Sequence, residues 1–299
     1  MEPDRSEAPI HCSVLPEEIL SYLAPRSGCV YVDGTLGLGG HTEAILRHSA
    51  PDGRVIAFEW DEAAIASSRV RLQPFADRLT IVRRNFAELA EGLTELGVEQ
   101  VDGVLIDIGL SSLQLESGGR GFSFQRDEPL DMRMDIRRKV TAASLIASCT
   151  EKELADIFFY YGDEKQARPI AREIVRSRFP EKILTSGQLA AVVARAIPRR
   201  FHPEKIHVAT KVFQALRIAV NSELENLARI LDDVAPLLRS GARLCVISFH
   251  SLEDRLVKRK LRELEDLEIL TSKPIMPAPA EIAVNPRSRS ARLRVAVRK

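Results

Sequence analysis

The sequence is poor in aromatic residues, in cysteine pairs and in long apolar runs. Aromatic residues make up 5% of the 299 positions, so the core must be built mainly from aliphatic side chains. No run of about 18 apolar residues occurs, so no membrane span is expected. The four cysteines are scattered without a CxxC pair, which excludes a recognisable zinc site and favours a reducing compartment. They are Cys12, Cys29, Cys149 and Cys245.

Positively and negatively charged residues are nearly equal in number. Lys and Arg number 43 against 42 Asp and Glu, so the whole-chain charge predicts no polyanionic partner, although local clusters still can. The N-terminal stretch MEPDRSEAPIHC has neither the apolar core of a signal peptide nor the acid-poor character of a transit peptide. No cluster of ligand residues indicates a metal site. We therefore expect a cytoplasmic protein without a resident metal.

The first third of the chain alternates strand and helix patterns. Amphipathic helical patterns separate β-rich runs at 29–33, 54–60, 79–86 and 101–109. Such alternation predicts parallel strands joined by right-handed crossovers, which form a doubly wound α/β sheet. Three later strand patterns, at 242–249, 267–271 and 292–297, bring the predicted sheet to seven strands.

The alternation stops after Gly109, and the next buried strand pattern begins about 130 residues later. A crossover needs only about a dozen residues, so a separate segment has been inserted. Two capping boxes mark helix starts within it: Thr150 with Glu153, and Thr185 with Gln188. We predict a discontinuous domain of residues 1–134 and 206–299 and an inserted helical domain of residues 135–205.

Two more helices are predicted after the insertion. One long amphipathic helix, ended by Gly241, should run over 208–241 and lead back to the sheet. A second helix should begin after the fifth strand, with Ser251 as its N-cap and Asp254 in the first turn.

The stretch VDGTLGLGGHT joins the first strand to a helix through a glycine-rich turn. Gly37 and Gly39 match two glycines of a dinucleotide fingerprint, but Thr42 stands where the third belongs. Asp33, which ends the strand, would repel a pyrophosphate, and the pattern resembles the first motif of S-adenosylmethionine-dependent methyltransferases. Glu59 follows the second strand, where a carboxylate accepts ribose hydroxyls. A nicotinamide or flavin cofactor, or turn glycines without a ligand, remain alternatives.

Six segments together resemble one family over nearly the whole chain. They lie at 11–18, 33–41, 107–135, 213–224, 247–258 and 285–294. The family comprises the bacterial methyltransferases that modify N4 of a cytosine, cytosine 1402, in the decoding centre of 16S ribosomal RNA. The resemblance implies a class I Rossmann-like methyltransferase fold with a small helical insertion, and S-adenosyl-L-methionine as the methyl donor.

The resemblance also implies which residues bind the methyl donor. These are Asp33, Gly39, Gly40, His41, Glu59, Phe86, Asp107 and Gln114. Gly39, Gly40 and His41 should hold the methionine portion, and Phe86 should pack near the adenine. Glu59 keeps the charge at a position where the family usually has Asp.

Two residues are candidates for a catalytic role in the methylation. The group that attacks is the cytosine amine, which is a poor nucleophile because its lone pair is delocalised into the ring. Much of the catalysis must therefore come from positioning. Asp107 ends the fourth strand beside the donor, and our hypothesis is that it accepts a hydrogen bond from the amine and orients it. His250 follows the fifth strand and is a weaker candidate for a proton relay, with a structural or RNA-binding role as the alternative.

Basic residues occur in clusters that suit a phosphate backbone, to which they supply salt-dependent attraction without sequence choice. The candidates for RNA binding are Arg133, Arg199, Arg200, Lys205, Arg287, Arg289 and Arg292. The expected partner is 16S ribosomal RNA within the small (30S) subunit, and no membrane is involved. The sequence leaves the oligomeric state open, and a homodimer is one state that it allows.

Three other functions stay open from the sequence. A nicotinamide oxidoreductase would need the missing third glycine. A non-catalytic RNA-binding factor of ribosome assembly would not need the set of strand-end acids. The third is amino-methylation of DNA or of another RNA. DNA amino-methyltransferases typically carry Pro-Pro-Tyr or Pro-Pro-Phe after the acid of the fourth strand, whereas Ile-Gly-Leu follows Asp107 here, which favours RNA.

Overall fold

A computed structural model describes residues 13–109, 114, 118–179, 181–204 and 206–299. The chain divides into two compact units: Met1–Ser112 with Glu225–Lys299, and Leu113–Leu224. The predicted insertion, 135–205, lies within the second unit, which also takes in residues 113–134 and 206–224.

The first unit contains a sheet to which seven strands of the described residues contribute. The strands are β1 Val30–Asp33, β2 Arg54–Phe58, β3 Leu79–Val82, β4 Val101–Asp107, β5 Leu238–Ser248, β6 Leu267–Ile269 and β7 Arg292–Arg298. Their spatial order is β3-β2-β1-β4-β5-β7-β6. Strands β1 to β5 pair in parallel with one another, and β7 runs antiparallel to both β5 and β6. The predicted doubly wound sheet of seven strands is confirmed.

After a first helix that precedes β1, helices and strands follow the predicted alternation. Before the insertion the helices are α1 Pro16–Leu23, α2 Gly40–His48, α3 Glu62–Leu72 and α4 Leu89–Glu95. The second unit contains α5 Ala142–Ser148, α6 Glu151–Gly162, α7 Ala167–Ser177, α8 Ser186–Ala196 and α9 Thr210–Asn221. The chain continues with α10 Glu223–Leu237, α11 Ser251–Glu263 and α12 Pro279–Val284. None of the described helices is long and apolar enough to cross a bilayer.

The core of the first unit lies on both faces of the sheet, as the alternation of side chains along each strand requires. On β1 and β4, Val32 and Ile106 face one cluster of buried residues, to which α4, α10 and α11 contribute. Tyr31 and Leu105 face the opposite cluster, to which α1 and α2 contribute. Both clusters are mostly aliphatic, as the scarcity of aromatic residues predicts.

The prediction of one long helix over 208–241 is wrong. The segment forms two helices, because Ser222 adopts a left-handed conformation (φ 54°) between α9 and α10. Asn221 is fully buried at the break, where its Oδ1 accepts from the Met134 amide and its Nδ2 donates to the Met132 carbonyl, both at 2.8 Å. The apolar pattern continues through this single-residue break, so periodicity did not reveal it. The second helix ends at Leu237, since β5 begins at Leu238, before the predicted strand.

Helix starts agree with the capping patterns at two of three positions. Both capping boxes predicted in the insertion form, at Thr150 with Glu153 and at Thr185 with Gln188. The prediction of Ser251 as the N-cap of α11 is wrong, because His250 takes that position. The ring Nδ1 of His250 lies 3.4 Å from the Glu253 amide nitrogen, and the Glu253 carboxylate accepts from the His250 amide at 3.2 Å.

Candidate active site

Three acidic residues lie where strands β1, β2 and β4 end. Asp33 and Asp107 are the last residues of β1 and β4, and Glu59 follows β2 directly. Strands β1 and β4 are neighbours at the centre of the sheet, and the strand order reverses there. In doubly wound folds the ligand crevice lies outside the carboxyl ends of the strands at this switch point. The sheet therefore brings the predicted acids to one edge.

Asp33 holds the glycine-rich turn in place. Its side chain is 1% exposed, and its two oxygens accept from the Thr35 amide at 3.0 Å and from the Thr42 hydroxyl at 2.7 Å. Burial raises the pKa of Asp33, while these hydrogen bonds favour its ionised form. Because its oxygens already have partners within the turn, Asp33 acts on a ligand chiefly by fixing the backbone that surrounds it.

The two threonines of the turn have roles that the sequence did not reveal: Thr42 was noted only as a missing glycine, and Thr35 was assigned no role. The Thr42 hydroxyl is fully buried against Asp33, so the position of the missing third glycine is used for a hydrogen bond. The Thr35 hydroxyl accepts from the Asp107 amide at 2.7 Å and thereby joins the ends of β1 and β4. The only sequence signal was the presence of hydroxyl residues two and nine positions after a strand-end acid.

The glycine-rich turn leaves the N-terminus of α2 open to a ligand. Gly39 is the N-cap of this helix with φ 81°, and it has no side chain with which to cap the first amide groups. A Cβ on Gly39 would lie 2.8 Å from Leu72 Cδ1, and one on Gly40 would lie 2.1 Å from Ser13 Oγ. Larger residues do not fit there. The free amides and the helix dipole favour a negatively charged group such as a carboxylate.

His41, in the first turn of α2, faces the end of β4. Its ring is 7% exposed, and Nε2 lies 3.5 Å from Asp107 Oδ2. Neither ring nitrogen makes a hydrogen bond within the described part of the chain. Burial lowers the pKa of His41, but the carboxylates of Asp107, Asp33 and Glu281 outweigh it and raise the pKa above its ordinary value. The ring is thus an available donor beside Asp107.

The Glu59 carboxylate accepts three hydrogen bonds from backbone amides of the protein itself. One oxygen accepts from the amides of Trp60 at 3.0 Å and Asp61 at 2.9 Å, and the other accepts from the Gly37 amide at 3.0 Å. A carboxylate offers about four acceptor positions, so one remains for a ribose hydroxyl. Burial raises the pKa of Glu59 to about 7 in spite of these bonds.

Asp107 carries an acceptor atom that lacks a partner. Its side chain is 23% exposed, and the buried Oδ1 makes no hydrogen bond within the residues that the structure describes. A buried acceptor without a donor costs about 1–3 kcal/mol, so such an atom at a strand end indicates a place for a ligand donor. The geometry therefore fits the predicted role of Asp107 as an acceptor.

The two remaining predicted donor contacts belong to different units. Phe86 begins a 3₁₀ turn, Phe86–Glu88, in the first unit. Its Cβ would lie 3.2 Å from a Cβ on Gly34, so it packs closely against the start of the glycine-rich turn. Gln114 belongs to the second unit, where its side chain is buried. Both contacts with a donor stay predictions.

His250 lies at the end of β5, the neighbour of β4, and has a structural role as the N-cap of α11. Its Nε2 is 2.9 Å from Glu253 Oε1, although neither atom is in hydrogen-bond geometry within the described residues. Glu253 is 1% exposed and also accepts from the Phe249 amide at 2.8 Å. A role of His250 in proton transfer stays a prediction.

The candidate RNA-binding arginines differ in how much of each guanidinium is available. Arg133 is engaged within its own loop, where it binds the Asp131 carboxylate and the carbonyls of Ile136 and Arg138. Arg292 pairs with Asp254 at 3.2 Å. The exposed ones are Arg199, Arg200, Arg287 and Arg289, and Arg200 lies over the ring of exposed Phe201 at 4.9 Å. Lys205 lies outside the described residues.

The polar groups at the carboxyl ends of the strands in the first unit fit S-adenosylmethionine. An open helix N-terminus suits its carboxylate, and the last acceptor position of Glu59 suits a ribose hydroxyl. A dinucleotide pyrophosphate does not fit as well, because the buried carboxylate of Asp33 and the half-buried carboxylate of Glu59 flank the turn on which it would lie.

The chain is similar to known proteins over almost its whole length. A family model described as the MraW methylase family matches residues 8–299. The protein named ribosomal RNA small subunit methyltransferase H of Desulfotalea psychrophila is 64% identical over 96% of this chain and 97% of its own length. Proteins of the same name in Geotalea uraniireducens and a Cyanothece species are 47% and 49% identical, over 96% and 97% of this chain and 97% and 95% of their own lengths.

Proposed function

This chain belongs to the MraW methylase family, and on that premise we propose that it methylates 16S ribosomal RNA with S-adenosyl-L-methionine as the donor. The target that we propose is the N4 amine of cytosine 1402. The observation that supports the substrate most strongly is the 64% identity, along nearly the entire length of both chains, to a protein named for small-subunit ribosomal RNA.

The first unit supplies the groups that would hold the donor. The first turn of α2, at Gly39, Gly40 and His41, would hold its methionine portion, and Glu59 would accept a ribose hydroxyl. Phe86 lies at the next strand end, where it would pack near the adenine. When bound, S-adenosylmethionine supplies an electrophilic methyl group on a sulfonium sulfur.

Asp107 provides the interaction that makes the amine reactive. Its unpartnered Oδ1 accepts a hydrogen bond from the N4 amine, which turns the nitrogen lone pair away from the ring and toward the donor. After transfer the nitrogen carries one proton too many, and Oδ1 is the atom placed to receive it. His41, 3.5 Å from Oδ2, holds the carboxylate from its other side.

The RNA is held by side chains of both units. The exposed arginines Arg199, Arg200, Arg287 and Arg289 supply phosphate contacts, which position the substrate. We assign recognition of the substrate to the inserted helical domain, 135–205. The small (30S) ribosomal subunit in the cytoplasm is the proposed partner.

The test is methyl transfer from labelled S-adenosylmethionine to four substrates in parallel. These are small subunits from cells that lack the enzyme, free 16S RNA, large subunits and duplex DNA. We expect label in small subunits or free 16S RNA and none in large subunits or DNA. Label in DNA, or no transfer although the protein binds the donor, would contradict the proposal.

A further inference from the structure

A cleft on the first unit, between α11, the end of β6 and β7, carries an excess of positive charge. It encloses about 220 Å³ and is lined by three cationic side chains, Lys258, Arg262 and Arg294, and by the hydroxyl residues Thr271 and Ser272. Two aliphatic side chains complete the lining, and no carboxylate belongs to it. This cleft has no part in the donor site described above.

The deepest cation of the cleft is fixed in orientation. Arg294 is 6% exposed, and its Nε and Nη2 donate to the two oxygens of Asp254 at 2.7 and 3.3 Å. The third nitrogen of the guanidinium group, Nη1, takes no part in the ion pair with Asp254. Arg292 shares the same carboxylate at 3.2 Å, so two guanidinium groups are balanced by one negative charge. The excess positive charge beside the cleft favours an anion, because a poorly solvated cation without a counter-charge is costly.

The other two cations have no acidic partner in the described structure. Lys258 and Arg262 are exposed and lie one turn apart on α11, so they project from the same face of the helix. Neither has a carboxylate oxygen within 4.0 Å among the described residues. By contrast, Arg259 on the same helix faces Glu263 at 3.8 Å. Both exposed charges that line the cleft are therefore uncompensated among the described residues, as is the charge of Arg255, which lies outside the lining.

The side chains that line the cleft offer the hydrogen-bond donors that the oxygens of a phosphate group accept. The Thr271 hydroxyl accepts from the Val295 amide at 2.9 Å and keeps its own hydrogen to donate. Guanidinium, ammonium and hydroxyl donors around one space are the groups that bind phosphate. Strand β7 lies two strands away from β4, which corresponds to about 10 Å, so a phosphate here would belong to a nucleotide other than the one at Asp107.

We propose that this cleft binds a phosphodiester group of the RNA backbone next to the methylated nucleotide. The inference rests on the proposed function, since it assigns a second contact point to the same substrate. Such a contact positions the strand without reading its sequence. It explains why uncompensated basic side chains, which nothing in the donor site requires, surround a formed cleft.

The test compares two double variants that remove equal charge from α11. The cleft variant is Lys258→Gln with Arg262→Gln, and the matched control is Arg255→Gln with Arg259→Gln, which changes the same helix outside the cleft. Binding to small subunits is measured over a series of KCl concentrations. We expect the slope of log K against log[KCl] to fall by about 0.7–0.9 more in the cleft variant than in the control. Thermal midpoints and donor affinity should equal those of the wild type in both.

Equal slopes in the two variants would overturn the proposal. If the wild type neither binds nor methylates small subunits or free 16S RNA, the proposed function fails and this inference fails with it. If the wild type is active and the slopes are equal, only the assignment of the cleft fails.

A second measurement separates an RNA phosphate from a free one. Acetylation of Lys258 is followed by mass spectrometry with small subunits, with inorganic phosphate, or with chloride at equal ionic strength. Protection by small subunits alone supports the RNA contact. Protection by inorganic phosphate alone would identify a small-anion site, and protection by neither would remove the site altogether.

Discussion

The carboxyl group of Glu59 should couple donor binding to pH. Burial raises its pKa to about 7 in the free protein, whereas a ribose hydroxyl needs a carboxylate acceptor. Binding must therefore release a proton below that pH. We expect the Kd for S-adenosylmethionine to be about tenfold weaker at pH 6 than at pH 8, since roughly one molecule in eleven is ionised one unit below the pKa.

The same pKa has a consequence for stability. Between the ordinary value of 4.5 and about 7, the folded protein holds a proton that the unfolded chain has lost. The free energy of unfolding of the ligand-free protein should therefore decrease as pH rises through this window, by on the order of 3 kcal/mol in total. Below pH 4.5 both states are protonated and Glu59 adds no further change.

Titration calorimetry between pH 5.5 and 8 measures the affinity, and urea unfolding at pH 5 and pH 8 measures the stability. In Glu59→Gln the contribution of Glu59 to both pH effects should be lost, and the affinity at pH 8 should fall by about 1.5–3 kcal/mol, or roughly 10- to 100-fold. A pH dependence of stability that comes from Asp33 and His41 should stay in the variant. Glu43→Gln is the matched control, because Glu43 is paired with Arg47 and Arg71 and its pKa is lowered. The same pH dependence of affinity in Glu59→Gln and in the wild type would refute the reasoning.

Three further expectations concern Asp107, His250 and Asn221. Asp107→Asn should lower single-turnover methyl transfer by about 100-fold or more with little change in thermal midpoint, and retained turnover would exclude Asp107 as the acceptor. His250→Ala should reduce the free energy of unfolding by about 1 kcal/mol through the lost cap of α11 and His250→Asn should restore it, whereas a rate loss in both would indicate chemistry instead. Asn221→Ala should cost about 3 kcal/mol, because it leaves the buried Met134 amide and Met132 carbonyl unpaired; urea unfolding within 0.5 kcal/mol of wild type would contradict that role.

The arrangement of the acids could be predicted from the sequence because it depends on local patterns. Apolar runs that end at Asp33 and Asp107, separated by helical patterns, are enough to place both acids at one edge of a parallel sheet. Glu59 follows by the same argument. No knowledge of contacts between distant residues was needed.

The contacts within the site could not be predicted, because they depend on distances across the fold. Thr35 binds the amide of Asp107, which is 72 positions away in the sequence. The three amides that occupy Glu59 come from two separate turns, so only the structure shows that one acceptor position is left. Arg133 looked available for RNA although it pairs with Asp131, because its other two partners are backbone carbonyls, which leave no mark in a sequence.

Residue propensities also gave a wrong prediction for the N-cap of α11, and the apolar periodicity missed the helix break at Ser222. Histidine is rarely the N-cap of a helix, so Ser251 was the better candidate from propensity alone. His250 is the N-cap because its ring and the Glu253 carboxylate satisfy each other's amides. Ser222 is similar, because its left-handed conformation breaks a helix whose apolar pattern is continuous.

The most direct test of the account is the identity and position of the methylated nucleoside. Small subunits from cells lacking the enzyme are treated with the wild type or with Asp107→Asn, and their RNA is digested and analysed by mass spectrometry. We expect N4-methylcytidine at the single position 1402 with the wild type and at most a trace with the variant. A different methylated nucleoside, or the same product in equal amount from Asp107→Asn, would contradict it.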